Sequence, residues 1–204
     1  MWVRVATFEG GDTEKLRKLS EQRMASGEMT PPEGMNHVLL LADPDKNRRL
    51  FVTFFDSRDE IAAAESEFEK MGDDLSEDIR GRRTGVEYQE VVIFDGDIDR
   101  AKAARVSSLE GSPEAIDEGL DKTRDDTLPK VRQLDGNVGA IGLADRNTGR
   151  VTMITLWDSA ESLRASEQQA DQLREQTAEM GGQRIASVDR YDVAMSQQMS
   201  GARA

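Results

Sequence analysis

Hydrophobic and polar positions along the chain follow two periods in turn. A period of two marks a strand at residues 2–8, where Val3 and Val5 share a face, and further strands at 37–42, 49–55 and 86–94. Helical spacing fills the gaps. After Gly10 and Gly11, a helix capped by Asp12 or Thr13 carries Leu16, Leu19, Arg23 and Met24. A sharper helix opens on Ser57, Arg58, Asp59 and Glu60, which read as a capping box. Its apolar stripe is Ile61, Ala64, Phe68, Met71 and Leu75, at steps of 0, 3, 7, 10 and 14. The strands at 37–42 and 49–55 flank Asp43, Pro44, Asp45, Lys46 and Asn47, residues suited to a hairpin turn.

The same pattern is then written again. RVATFEG from Arg4 to Gly10 aligns with RVSSLEG from Arg105 to Gly111 at an offset of 101. Leu41–Asp43 aligns with Leu143–Asp145, Asp56 and Ser57 with Asp158 and Ser159, and Val86 and Glu87 with Val188 and Asp189, all at 102. Anchors that keep one order with a single one-residue gap indicate a duplication. In the second copy Ser112, Pro113 and Glu114 start a helix bearing Ile116, Leu120 and Thr123, which Pro129 is expected to kink or end. A hairpin follows at 140–144 and 151–157 around Asp145–Gly149. Ser159 then opens a helix with Leu163, Ser166, Ala170, Leu173 and Thr177 on its stripe, before a last strand at 187–195.

The order strand–helix–strand–strand–helix–strand is that of the ferredoxin-like split unit. The predicted fold class is α+β: two tandem ferredoxin-like βαββαβ repeats at 1–95 and 104–195, joined by a linker at 96–103. Strands such as Leu50–Phe55 are apolar on both faces, so the repeats are expected to pack sheet to sheet as a pseudo-dimer within one chain. The small, polar segment 196–204 reads as a frayed tail. A further homodimer of the whole chain is left open.

Charge and composition narrow the function. With 40 acidic against 27 basic residues the net charge is −13, which argues against nucleic acid as a partner. No apolar leader and no run long enough to span a bilayer is present, so neither membrane insertion nor secretion is expected, and the cytoplasm is the expected location. There is no cysteine and one histidine, so no thiolate chemistry and no protein-only transition-metal site is expected. Asp95, Gly96, Asp97 and Asp99 begin like a calcium loop, but Arg100 and Val106 stand where Gly and Glu are required.

The strand endings Val52-Thr53-Phe54-Phe55-Asp56-Ser57 and Ile154-Thr155-Leu156-Trp157-Asp158-Ser159 each close on an aromatic and enter a capped helix. On these residues the duplicated unit resembles the dimeric α+β barrel superfamily, nearest its antibiotic-biosynthesis-monooxygenase-like (ABM-like) branch. The resemblance covers both repeats and is one of pattern. It implies an intrachain dimeric α+β barrel with a small-molecule ligand held between sheet and helices. Haem-degrading members place an iron-ligating His on the second helix. Here Glu65 to Phe68 and Gln168 with Gln169 stand at that place, so no cofactor is expected.

Six residues carry the expected chemistry. His37, with Asn36 before it, is a general base or orienting donor at a pocket mouth, or else a solvated strand-edge residue. Phe55 and Trp157 are matched aromatic walls for a flat ligand, or core packing. Tyr88 and Tyr191 differ between the copies, facing Arg190 and Gln89, and either orient a substrate or pack their rings. Two functions follow: a cofactor-independent monooxygenase acting on an aromatic or polyketide-like substrate, and a non-catalytic ligand-binding or stress-related scaffold of the same fold.

Overall fold

A computed structural model describes residues 1–199 of the chain. The element order is β1 (Trp2–Glu9), α1 (Thr13–Ser26), β2 (Met35–Asp43), β3 (Arg48–Phe55), α2 (Arg58–Asp73), α3 (Glu77–Arg80) and β4 (Arg82–Gly96). It continues with β5 (Ala103–Glu110), α4 (Ile116–Lys122), α5 (Leu128–Val131), β6 (Asn137–Asp145), β7 (Arg150–Trp157), α6 (Ala160–Ala165), α7 (Glu167–Met180) and β8 (Arg184–Gln198). The architecture is mixed α+β. The chain divides into two compact units, Met1–Gln89 with Val193–Ala204, and Glu90–Asp192. Both boundaries fall inside the 15-residue strands β4 and β8. The last strand runs through Gln198, three residues into the segment expected to be tail, and residues 200–204 of that segment lie outside the described residues.

In the first unit β3 lies between β1 and β2, antiparallel to both. The beginning of β4 borders β1, and the end of β8 borders β2. Register sorts the side chains by face. Arg4, Ala6 and Phe8 stand opposite Thr53, Phe51 and Arg49, and Val38 stands opposite Thr53. This face lies under α1 and α2. Val3, Val5, Val52, Phe54 and Leu39 occupy the other face. A bulge at Asn36 separates Met35, paired with Phe55, from His37, paired with Phe54.

The expected caps form. Asp12 accepts the Lys15 N–H, and Ser57 with Glu60 closes a full capping box on α2. One face of α2 packs Ile61 and Ala64 against Phe55, with Trp2, Met35 and Phe68 at the margin. Burial of Ile61 and of Phe55 contributes about 1.5–3 kcal/mol each of transfer free energy. Arg49 is buried and stitches the end of α3 to β1 by donating to the carbonyls of Gly10, Ile79 and Arg80. Gly11, at φ +78°, leaves room for that guanidinium: a Cβ there would stand 2.2 Å from Arg49 Nη2 and 2.6 Å from the Ile79 carbonyl.

In the second unit β5 lies between β7 and β8, β7 lies between β5 and β6, and the end of β4 borders β6. Ile116, Leu120 and Leu128 pack on Ala140, Ala144 and Val151. Pro129 does not end its helix. The turn Thr123–Thr127 before it is π-helical, and α5 continues through the proline. The wider turn absorbs the missing N–H and the ring clash. The stripe read as one helix from Leu163 to Thr177 is two helices divided at Ser166. Here the Leu163 carbonyl accepts from Ser166 Oγ at 2.7 Å and from Arg105 at 2.8 Å, drawing it away from the helical ladder.

Candidate functional site

The first unit holds a cavity of about 450 Å³ between its sheet and helices α1 and α2. Phe8 and Phe51, in edge-to-face contact at 5.5 Å, line the strand side, and Phe68 lines the helix side. Six of the nine methionines line it: Met24, Met29, Met35, Met71, Met195 and Met199. Thioether chains are unbranched and polarisable, so such a wall refits itself to differently shaped apolar ligands. The polar lining is concentrated at Arg4, Arg80, Arg83, Glu69 and Asp73.

Ion pairs tie down most of that polar lining. Arg4, 5% exposed in its side chain, donates to Glu65 at 2.8 Å through Nε and at 3.4 Å through Nη2. Its guanidinium also lies 4.4 Å from the Phe68 ring centroid. Glu65 accepts a third bond, from the Tyr88 hydroxyl at 2.8 Å. Burial and that bond to Glu65 raise the Tyr88 pKa above 10, so the phenol stays a donor. Arg83 pairs with Glu69 at 2.8 Å, and this bond lowers the Glu69 carboxyl below its ordinary range.

The second unit repeats the clamp with different chemistry on its outer arm. Arg105 on β5, 2% exposed, donates to Glu167, Ser166 Oγ and the Leu163 carbonyl. Arg190 on β8 grips the same Glu167 carboxylate. Burial acts to raise the Glu167 pKa, but the bonds from Arg190 and Arg105 outweigh it and hold the carboxyl below its ordinary range. Burial lowers the pKa of Arg105. Arg4, Glu65 and Tyr88 thus correspond to Arg105, Glu167 and Arg190. These groups were not read as a set from the sequence. The signal was present: all three positions coincide when the copies are aligned.

Of the expected site residues in the first unit, none of Asn36, His37, Phe55 and Tyr88 is among those that line its cavity. His37 does not line the cavity: it pairs with Phe54 and alternates with Val38, which places it on the opposite sheet face. There it stacks edge-on to Phe54 at 5.9 Å, and its Nε2 meets Ser196 Oγ at 2.9 Å. Asn36 bonds Asp56 at 2.8 Å, and its carbonyl accepts from the Met199 N–H. Phe55 is fully buried beneath α2, and Phe8, Phe51 and Phe68 supply the aromatic walls instead. Tyr88 belongs to the clamp. Trp157 is fully buried with Ala103, Leu163 and Leu134, and its Nε1 donates to Thr155 Oγ1 at 3.2 Å. Tyr191, also buried, stands opposite Ala104 while Trp157 stands opposite Ala103, so the two point to different faces.

Asp95 and Asp97 of the calcium-like stretch are spent otherwise. Asp95 pairs with Arg132, and Asp97 caps the turn Ile98–Arg100. Among the described residues no helix is long and apolar enough to cross a membrane.

The fold is shared with ABM-fold monooxygenase-like and anthrone oxidase-like proteins of solved structure. An anthrone oxidase-like protein superposes over 100% of this chain and 95% of its own, with a TM-score of 0.68 and 16% identity. A ferredoxin fold protein related to antibiotic biosynthesis monooxygenases, from Listeria monocytogenes, covers 94% of both chains with a TM-score of 0.55 and 12% identity. At such identities the likeness establishes fold alone. In sequence, the uncharacterized protein Rv2557 of Mycobacterium tuberculosis is 34% identical over 91 residues, 45% of this chain. The chain spans about two fifths of the length of the curated relatives it matches, 40% for Rv2557. No family model matches.

Proposed function

We propose that the chain is a small-molecule-binding ABM-like protein built from two ferredoxin-like repeats, and that the cavity of the first unit takes a flat aromatic or polyketide-like molecule. The observation that carries this is the cavity itself, a space of about 450 Å³ with phenylalanine and methionine walls and a few charged groups. Its chemistry is a cofactor-independent monooxygenation. The substrate supplies the electrons: a benzylic or enolisable CH₂ loses a proton, and the resulting carbanion reduces O₂ to a bound peroxide. Loss of water from the peroxide leaves C=O, so one oxygen atom enters the product and the other departs as water with both hydrogens. The protein's part is to hold the ring system away from bulk water and to fix its orientation.

A second reading, binding without catalysis, is favoured by the lining itself. It contains no histidine, and Arg4, Arg83 and Glu69 are committed to ion pairs. One pair of measurements separates these readings. Anthrone should raise the melting temperature of the native chain, and the replacement Ser20→Trp, on the cavity side of α1, should abolish that shift. Stoichiometric O₂ uptake with quinone formation supports the enzyme; binding without uptake supports the scaffold. A shift that survives Ser20→Trp places the ligand elsewhere and overturns the proposal.

A further inference from the structure

We propose that the cavity of the first unit selects a monoanionic ligand, an aromatic or polyketide-like acid whose carboxylate is received by Arg80. This rests on the cavity reading above and adds the ligand's charge. Among the described residues three arginines line the cavity, and two are satisfied. Arg4 is held by Glu65 and Arg83 by Glu69, each at 2.8 Å. Arg80 is different. Its nearest carboxylate, Asp73, lies at 3.8 Å and is 81% exposed, so it is well solvated. Its Nε is buried and has no hydrogen-bond partner among the described residues.

The position of Arg80 is nevertheless fixed. Its carbonyl is tied down by Arg49, and its Nη1 rests over Gly72, where even a Cβ would approach to 3.0 Å. A guanidinium remains charged at any working pH, and Asp73 at 3.8 Å is too far to hydrogen-bond it. The Arg80 side chain is 32% exposed overall, so a ligand reaches it through the Nη groups, where the planar pair of carboxylate oxygens matches the planar fork. The chain as a whole carries −13 and repels anions, so attraction at this point is local to the cavity. The methionine and phenylalanine walls take the apolar body.

The test is fluorescence titration of the full chain with 9-anthracenecarboxylate and with 9-anthracenemethanol, which share one ring system and differ in charge. The carboxylate should bind about tenfold tighter or more, the scale of a hydrogen bond to a charged group. Arg80→Gln and Arg80→Met should each bring the carboxylate down to the affinity of the alcohol while leaving the alcohol within about twofold, since the apolar contacts are untouched. Equal binding of the two probes by the native chain, or equal loss of both in the variants, overturns the charge assignment and leaves the cavity reading standing. Binding of neither probe overturns both.

Discussion

Replacing Glu167 with glutamine tests whether the Arg105 clamp holds the second unit together. Arg105 is 2% exposed, and Glu167 at 3.1 Å is the carboxylate that offsets its charge. Removing one partner of a fully buried pair costs about 3–5 kcal/mol. Two features reduce the figure here: Glu167 is itself 28% exposed, and Arg105 keeps its bonds to Ser166 and the Leu163 carbonyl. A loss of about 2 kcal/mol is expected, or about 4–8 °C in Tm for a chain of this size. Arg190→Ala removes the other grip on the same carboxylate, but from a side chain 48% exposed, and should cost about 0.5 kcal/mol.

The pH dependence has a defined sign. The folded Glu167 carboxyl lies below its ordinary value of 4.5, so its contribution is complete above that pH and is lost as pH falls through the lower, folded value. Urea titrations of the native, Glu167→Gln and Arg190→Ala chains across neutral and acidic pH measure all of this. If Glu167→Gln is no more destabilising than Arg190→Ala, or keeps the same acid-limb loss, the clamp reasoning is wrong.

Three further outcomes follow from the same geometry. Trp157→Ala should destabilise the second unit by about 3–5 kcal/mol in denaturant, as expected for a fully buried indole, and leave ligand affinity in the first unit unchanged; a selective loss of affinity would restore Trp157 as a ligand wall. Tyr88 should ionise above the ordinary tyrosine value of 10.0, read from the tyrosinate absorbance band and assigned by its loss in Tyr88→Phe. Its raised pKa stabilises the fold fully below that value and ceases to do so as pH rises through the folded one, so an unshifted titration refutes the Glu65 bond. Gly11→Ala should cost more than about 2 kcal/mol, because strain at φ +78° adds to collision with Arg49; a native-like melting curve would contradict the packing around that guanidinium.

Much of the fold was legible because local rules agree along the chain. Asp12, Ser57 and Ser159 cap the helices they were expected to cap, and the turns at Asp43–Asn47 and Asp145–Gly149 form where Asp, Asn and Gly cluster. The helix break at Ser166 was hidden, since the arginine that claims the Leu163 carbonyl lies 58 residues away in sequence. Alternation already sets His37 on the face of Leu39, away from Val38; what the bulge at Asn36 hides is Met35, which it turns onto the cavity face. The cavity was least legible of all. Its methionines come from α1, the following loop, β2, α2, β8 and the residue after β8, and no period in the sequence joins them. Nothing local to the strand marks Arg4 as buried; Glu65 and Phe68, which close over it, lie more than 60 residues away.

The claim on which the functional account turns is that ligand enters the space between α1, α2 and the first sheet. Methionine-methyl NMR of the full chain, titrated with 9-anthracenecarboxylate, reads that space directly. The signals of Met24, Met29, Met35, Met71, Met195 and Met199 should move with ligand while those of Met153 and Met180, in the second unit, stay fixed. Shifts centred on Met153 or Met180, or saturation with no movement among the six, would contradict it.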